Sequence, residues 1–155
     1  MWHGAFAGGL IGAAILAMAA GKSLAQSAPA PQSCPRAEFE AVVDDAAEAL
    51  RNLTQKNSPA FQAKLRQLKD KRGWSHEQFL AGGARFVRDD KIAEFDDKSD
   101  GLLARINGAG NEAGGTSASD CRRLADLRAN MGALVEIQNA KWAYMFGNID
   151  AELAK

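Results

Sequence analysis

Residues 120–153, DCRRLADLRANMGALVEIQNAKWAYMFGNIDAEL, decide the fold. Apolar side chains recur along this stretch every three or four residues, which is the period of one face of an α-helix. The stripe comprises Leu124, Leu127, Met131, Leu134, Val135, Trp142, Met145, Ile149 and Leu153, together with the polar Gln138. An unbroken helix over this range would be about 50 Å long. No alternation of period two, which would indicate strands, occurs in the chain, so we predict an all-α fold.

The first helix is predicted to begin near Cys34-Pro35, since proline suits the first helical turn. Acidic residues separate the members of its stripe, which are Phe39, Val42, Val43, Ala46, Leu50 and Leu53. Asn57-Ser58-Pro59 is expected to break this arm, because a proline disfavours helical geometry in the residue before it. A basic segment, KLRQLKDKR at residues 64–72, then continues to a stop at Gly73.

A further helical stretch is predicted to begin at Ser75, which as N-cap would form a capping box with Gln78. The apolar pattern then continues through Phe86, Val87, Ile92, Phe95, Leu102, Leu103 and Ile106, and Asp100-Gly101 marks a candidate break. Gly82-Gly83 lowers helix propensity by about 2 kcal/mol relative to two alanines, which predicts a kink or a close approach by another helix. Residues 107–119, NGAGNEAGGTSAS, are predicted to form a flexible loop.

The N-terminal residues predict export. Residues 5–20 form an uncharged apolar run that is shorter than the roughly 20 residues of a membrane-spanning helix, and small residues follow at a suitable cleavage site after Ala25. We interpret 1–25 as a signal peptide, 26–33 as a flexible Pro/Ala/Ser tether and 34–155 as a single helical-bundle domain. No Lys or Arg precedes the run, so retention as an anchor is the alternative, and only then would the protein contact a membrane. We expect a periplasmic or secreted protein of a bacterial envelope.

The chain has two cysteines, Cys34 and Cys121, and two cysteines in an exported chain are more often paired than free. We expect a disulfide between them, with free thiols or an intermolecular bond as alternatives. Because the two cysteines begin the first and the last helix, the bond would hold those two starts at one end. This favours an elongated helical bundle of three long arms that run up, down and up, the first arm being broken at Pro59. Alternatively, the short basic helix lies as a cross-piece over the far end.

Composition and motifs argue against several classes of function. The 19 basic and 19 acidic residues balance, so no overall charge attracts nucleic acid. His76 is the only histidine after residue 25, and the cysteines lack the spacing of zinc ligands, so no metal or cofactor is expected. Ser75-His76-Glu77 looks like part of a hydrolase, but neighbours on a helix point about 100° apart and cannot form a relay. We therefore predict that the protein is not an enzyme.

The basic segment and the aromatic end of the last helix form the candidate partner-binding surface. Its residues are Lys64, Arg66, Lys69, Lys71, Arg72, Trp142 and Phe146. Positive charge beside an apolar stripe is typical of segments that bind acidic partners. The alternatives are internal ion pairs for the basic residues and a place in the bundle core for the aromatic residues. Tyr144 is expected to point away from the aromatic face.

We expect an exported, non-enzymatic helical interaction protein of the cell envelope, which binds a protein partner or its own copy. The alternative is a helical bundle that binds a small ligand or a divalent cation. It rests on the aromatic end of the last helix and on the acidic residues of 89–100. Asp90, Glu94 and Asp97 share one helical face there, although such carboxylates more often pair with nearby Lys or Arg.

Overall fold

A computed structural model describes the backbone of residues 34–111 and 117–155, and the side chains of residues 34–108 and 121–155. The predicted signal peptide, 1–25, and the tether, 26–33, lie outside the described residues. Within the described ranges all regular structure is helical, which confirms the all-α prediction. None of the described helices combines the length and the apolar character that crossing a membrane requires.

Four α-helices and one 3-10 turn make up the described chain. In order they are α1 (Arg36–Arg72), α2 (His76–Gly83), the 3-10 turn (Ala84–Phe86), α3 (Asp90–Asn111) and α4 (Ser117–Leu153). Much of the predicted loop 107–119 is therefore helical, and of it only residues 112–116 have no described backbone.

The first helix is not broken at Pro59, and that part of the prediction is wrong. Pro59 lies inside α1, which continues without interruption to Arg72. A proline in a helix interior costs about 3 kcal/mol, since it removes a backbone hydrogen bond and crowds the preceding turn. Beyond it, however, Phe61 is 3% exposed and Leu68 is fully buried. Burying each such side chain contributes about 1.5 to 3 kcal/mol, which offsets the cost of the proline and keeps both halves of α1 on the same neighbour.

The chain turns where local signals predicted it to turn. Gly73 ends α1 in the left-handed conformation, with φ of 61°, and its backbone N–H donates to the carbonyl of Asp70 at 3.1 Å. Ser75 and Gln78 form the predicted capping box at the start of α2. The middle segment then breaks at the 3-10 turn, whereas α3 passes through Asp100-Gly101 without interruption.

Helix α4 lies at the centre, and α1 packs beside it in parallel. Cys34 and Cys121 form a disulfide with their Cα atoms 5.0 Å apart, at the start of both helices. Further along, the Phe61 ring lies 6.0 Å from the Trp142 ring. Residue numbers thus rise together along both helices, which makes their directions parallel.

Helix α3 packs on α4 in the opposite direction. Near its start, Asp96 forms an ion pair with Lys141, and near its end the Arg105 guanidinium donates to the Asn130 side chain at 3.4 Å. Both α1 and α3 therefore contact α4, but among the described residues they make few contacts with each other. The three helices form an open layer with α4 in the middle.

The main apolar cluster lies far from the disulfide. It consists of Phe61, Leu68, Phe86, Ile92, Met145 and Ile149, and we call it the distal cluster. At this end Phe86 of the 3-10 turn and Ile92 of α3 pack together with residues of α1 and α4. The remaining buried apolar residues are Ala46, Leu102, Leu124 and Leu134, so the half of the layer that contains the disulfide has the thinner core.

Candidate functional site

The basic segment 64–72 is largely engaged by the C-terminal turns of α4. Lys64 forms an ion pair with Asp150, and the Lys71 ammonium donates to the carbonyl oxygen of Leu153 at 2.6 Å. Lys69 lies 5.8 Å from the centre of the Phe79 ring, as in a cation–π contact.

Glu152, near the end of α4, forms ion pairs with three basic side chains. Its carboxylate lies 2.7 Å from Arg72, 3.2 Å from Arg85 and 2.7 Å from Lys155. The hydrogen bond from Lys155 lowers the pKa of Glu152 below its usual value, and the nearby charges of Arg85 and Arg72 act in the same direction. Of the predicted basic residues, Arg66 alone is exposed with no partner among the described residues.

Trp142 and Phe146 pack inward rather than forming an exposed aromatic patch. The Phe61 ring lies 5.5 Å from the Phe146 ring in an edge-on arrangement, and both predicted residues are half-buried against the distal cluster. The structure therefore brings the predicted basic and aromatic residues to the same half of the molecule, but uses most of them to hold α1 on α4. Trp142 also lines an open space between α1 and α3.

Tyr144 packs toward α3, where its ring lies 6.2 Å from the Phe95 ring. It packs against the distal cluster, and its hydroxyl donates to the Asp89 carboxylate at 2.8 Å. Asp89 also caps α3, since it accepts the backbone N–H of Ile92 at 2.7 Å. That backbone bond, with the Tyr144 hydroxyl, lowers the pKa of Asp89. Sequence periodicity missed the pair because Asp89 lies at the start of another helix, 55 residues away.

The residues considered for catalysis and metal binding do not assemble into a site. His76 is exposed at the first position of α2. Of the acidic face, Glu94 pairs with Lys91 at 2.6 Å, while Asp90 and Asp97 are exposed. No group of three or more His, Cys, Asp or Glu side chains that could hold a metal ion occurs within the described residues.

A groove between α1 and α3, with α4 as its floor, is the candidate site, and we call it the α1/α3 groove. It has a volume of about 400 Å³ and is lined by Leu50, Leu53, Thr54, Asp96, Ser99, Asp100, Leu103, Leu134, Gln138 and Trp142. It exists because α1 and α3 both pack on α4 without closing on each other. Its lining residues lie near the middle of the three helices, and the Phe61–Phe146 ring contact lies beyond it toward the distal end.

A polar pair joins the α3 wall of the groove to its floor, among apolar residues. Ser99, the one polar residue that is buried in the described chain, is 6% exposed. Its hydroxyl donates to the carbonyl of Phe95 and accepts from the Gln138 amide, both at 2.9 Å. This pair satisfies the buried hydroxyl, and Gln138 itself lines the groove. The only sequence signal was Gln138, a polar residue inside the stripe of the last helix.

Sequence reasoning missed the groove itself. Two members of the predicted apolar stripes, Val43 and Leu103, are 41% and 42% exposed. Helical periodicity assigned both to buried faces, because it reports that a face is apolar and not whether another helix covers it.

Comparison of the chain with models of protein families, with curated proteins and with solved structures finds no match in any of the three.

Proposed function

We propose that the protein is an exported, non-enzymatic helical protein of the cell envelope, which binds a protein partner through the α1/α3 groove. The observation that supports this proposal is the open layer, in which α4 is flanked on two sides and the space between α1 and α3 is left unfilled. Four-helix bundles close such a space with a further helix. The disulfide fits an oxidising compartment outside the cytoplasm.

The ion pairs favour the groove over the basic segment as the binding surface. A partner that used Lys64 or Arg72 would have to break contacts with α4, and Trp142 and Phe146 are held by Phe61. Apolar side chains that line the open groove can be contacted without breaking existing contacts. Binding is favourable because a partner removes these side chains from water. The groove therefore replaces most of the predicted partner-binding surface.

Site-specific photocrosslinking in the envelope tests the proposal. A photoreactive amino acid at Leu103, on the groove rim, is expected to give a discrete adduct with one other protein. The matched control is the same amino acid at Leu80, which is more exposed, at 59%, but lies on α2 outside the groove. The absence of a Leu103-specific adduct, together with a monomer in sedimentation equilibrium, would refute the proposal.

A second candidate is a bundle that holds a small apolar ligand, and the groove volume favours it. About 400 Å³ lies within the range of small-molecule sites. Thermal shift against a panel of fatty acids and aromatic compounds separates the two, since a ligand of the groove should raise the melting temperature of the wild type and not that of Leu103→Glu.

A further inference from the structure

We infer that the occupant of the α1/α3 groove is a cationic amphipathic helix of about four turns, contributed by a partner protein. This inference rests on the proposed function and adds to it the chemistry of the partner. Three observations carry it, which are the length of the groove, its apolar lining and the sign of its charge.

Toward the disulfide, the described lining on this side of the molecule comes from α1 alone. A second depression, of about 510 Å³, is lined by Arg36, Phe39, Glu40, Val43 and Asp44. Val43 and Leu50 are seven residues apart, which is two helical turns, so the depression and the groove lie along the same side of α1. From Phe39 to Thr54 the axial distance is about 22 Å, which a helix of about fourteen residues would cover.

The lining requires an apolar stripe on the partner. Leu50 and Leu53 on one wall face Leu103 on the other, and Leu134 lies in the floor. Val43 extends the apolar wall of α1 beyond them. Packed helices lie 8–10 Å apart, so a helix between α1 and α3 would contact both walls and the floor together. An extended strand would leave its own backbone groups unpaired there, because the walls are helical and offer few free backbone donors or acceptors.

The charge of the lining selects a cationic partner. Charged residues in the two depressions are the carboxylates Glu40, Asp44, Asp96 and Asp100 and a single cation, Arg36. Arg36 forms an ion pair with Glu40, and Asp96 forms one with Lys141. Asp44 and Asp100 are exposed and have no ion-pair partner in the described part of the chain. Asp100 lines the groove on α3, and Asp44 lies beyond it on α1, so a helix with Lys or Arg on both flanks of its apolar stripe matches the two carboxylates.

A second copy of this chain fits the groove less well. Its basic amphipathic stretch is 64–72, and that stretch already pairs with the end of α4 through Lys64, Lys71 and Arg72. The exposed face of α1 is itself acidic in its first half, so two copies placed groove to groove would bring Asp44 close to like charge.

Synthetic peptides test the inference on the full-length, disulfide-bonded protein. The probe is a fluorescein-labelled fourteen-residue peptide of leucine and lysine with leucine at helical spacing. Two controls replace lysine by glutamate or scramble the order so that no apolar stripe forms. Fluorescence anisotropy should show at least tenfold tighter binding of the lysine peptide than of either control, and weaker binding as NaCl rises from 50 to 500 mM.

Variants locate the binding in the groove. Asp44→Asn combined with Asp100→Asn should weaken the lysine peptide about 3- to 10-fold, and Leu103→Glu at least tenfold. Asp70→Asn and Leu80→Glu, which alter residues outside the groove, should leave the affinity unchanged. Circular dichroism melting of each variant separates lost binding from lost fold.

Three outcomes with the purified protein would overturn the inference. They are equal binding of the scrambled and amphipathic peptides, unchanged affinity in the Asp44/Asp100 double variant, and a dimer that buries Leu103. A photocrosslinked partner whose contact segment is acidic or uncharged would also overturn it while leaving the proposed function standing. Absence of any adduct would remove the proposed function as well.

Discussion

Replacing Cys34 and Cys121 by serine is expected to loosen one half of the molecule and leave the other half folded. The disulfide joins residues 87 positions apart. In the chain-entropy model a loop of this length stabilises the folded state by about 4.5 kcal/mol at 25 °C. Because the total stability of a domain is typically about 5 to 15 kcal/mol, the double variant should lose a large fraction of its free energy of unfolding.

The loss should be concentrated at the disulfide end. In that half of the layer the buried apolar residues are few, among them Ala46 and Leu124, whereas Leu68 and Ile149 are fully buried in the distal cluster. An ion pair between Arg128 and Glu38 also joins α1 to α4 in this half, but at 4.0 Å between exposed side chains it is weak.

Urea unfolding and hydrogen exchange measure the two parts of this prediction. Urea unfolding gives the free energy, and exchange with mass spectrometry should show faster exchange in the first half of α1 and little change around Phe61 and Ile149. Wild type under a phosphine reductant should behave like the serine variant, while the reductant should not affect the variant. A loss below about 1 kcal/mol, or equal acceleration of exchange at both ends, would refute the reasoning.

Four further substitutions test local features. Ser75→Ala removes the capping-box acceptor and should lower the free energy of unfolding by about 1 kcal/mol in urea titration; no loss would contradict the cap. Gly82→Ala would place a Cβ atom 2.9 Å from the Trp74 ring and should destabilise the protein by about 1 to 3 kcal/mol. Gly101→Ala meets only an ordinary contact of 3.8 Å and should stabilise the protein by about 0.5 to 1 kcal/mol. Equal effects of the two substitutions in thermal melts would exclude the predicted clash. Because the pKa of Glu152 is lowered in the folded state, its contribution to stability is complete above the ordinary value of 4.5 and is lost as the pH falls below that value through the folded pKa. The melting temperatures of wild type and Glu152→Gln should therefore converge on acidification. A constant difference between them would count against the ion pairs.

The close approach expected at Gly82 is present, although its partner is different. The tip of the Trp74 indole, and not another helix, occupies the space beside Gly82. The sequence indicated that a side chain has to be absent here, since two adjacent glycines weaken a helix and are expected only where packing requires them. The group that fills the gap follows from the turn at Gly73, which folds Trp74 back over α2.

Proline at position 59 shows the limit of local rules. Propensity and backbone sterics alone predict a break, and they describe an isolated segment correctly. In the folded chain, burial of Phe61 and Leu68 against α4 outweighs the local cost. The backbone at Pro59 therefore stays helical against its local preference, because the free energy of burial is greater and comes from a helix far along the chain.

Several features depend on neighbours in the chain and can be derived from it. Helical periodicity, the capping box at Ser75 and the stop at Gly73 involve residues within about four positions of each other, and with only two cysteines a single intrachain pairing exists. The α1/α3 groove depends instead on how α1 and α3 divide the surface of α4, and periodicity cannot show this because a covered and an uncovered apolar face have the same spacing. The ion pairs of the basic segment, the Tyr144–Asp89 bond and the exposed carboxylates of the groove arise in the same way, from helices brought together by burial at long range.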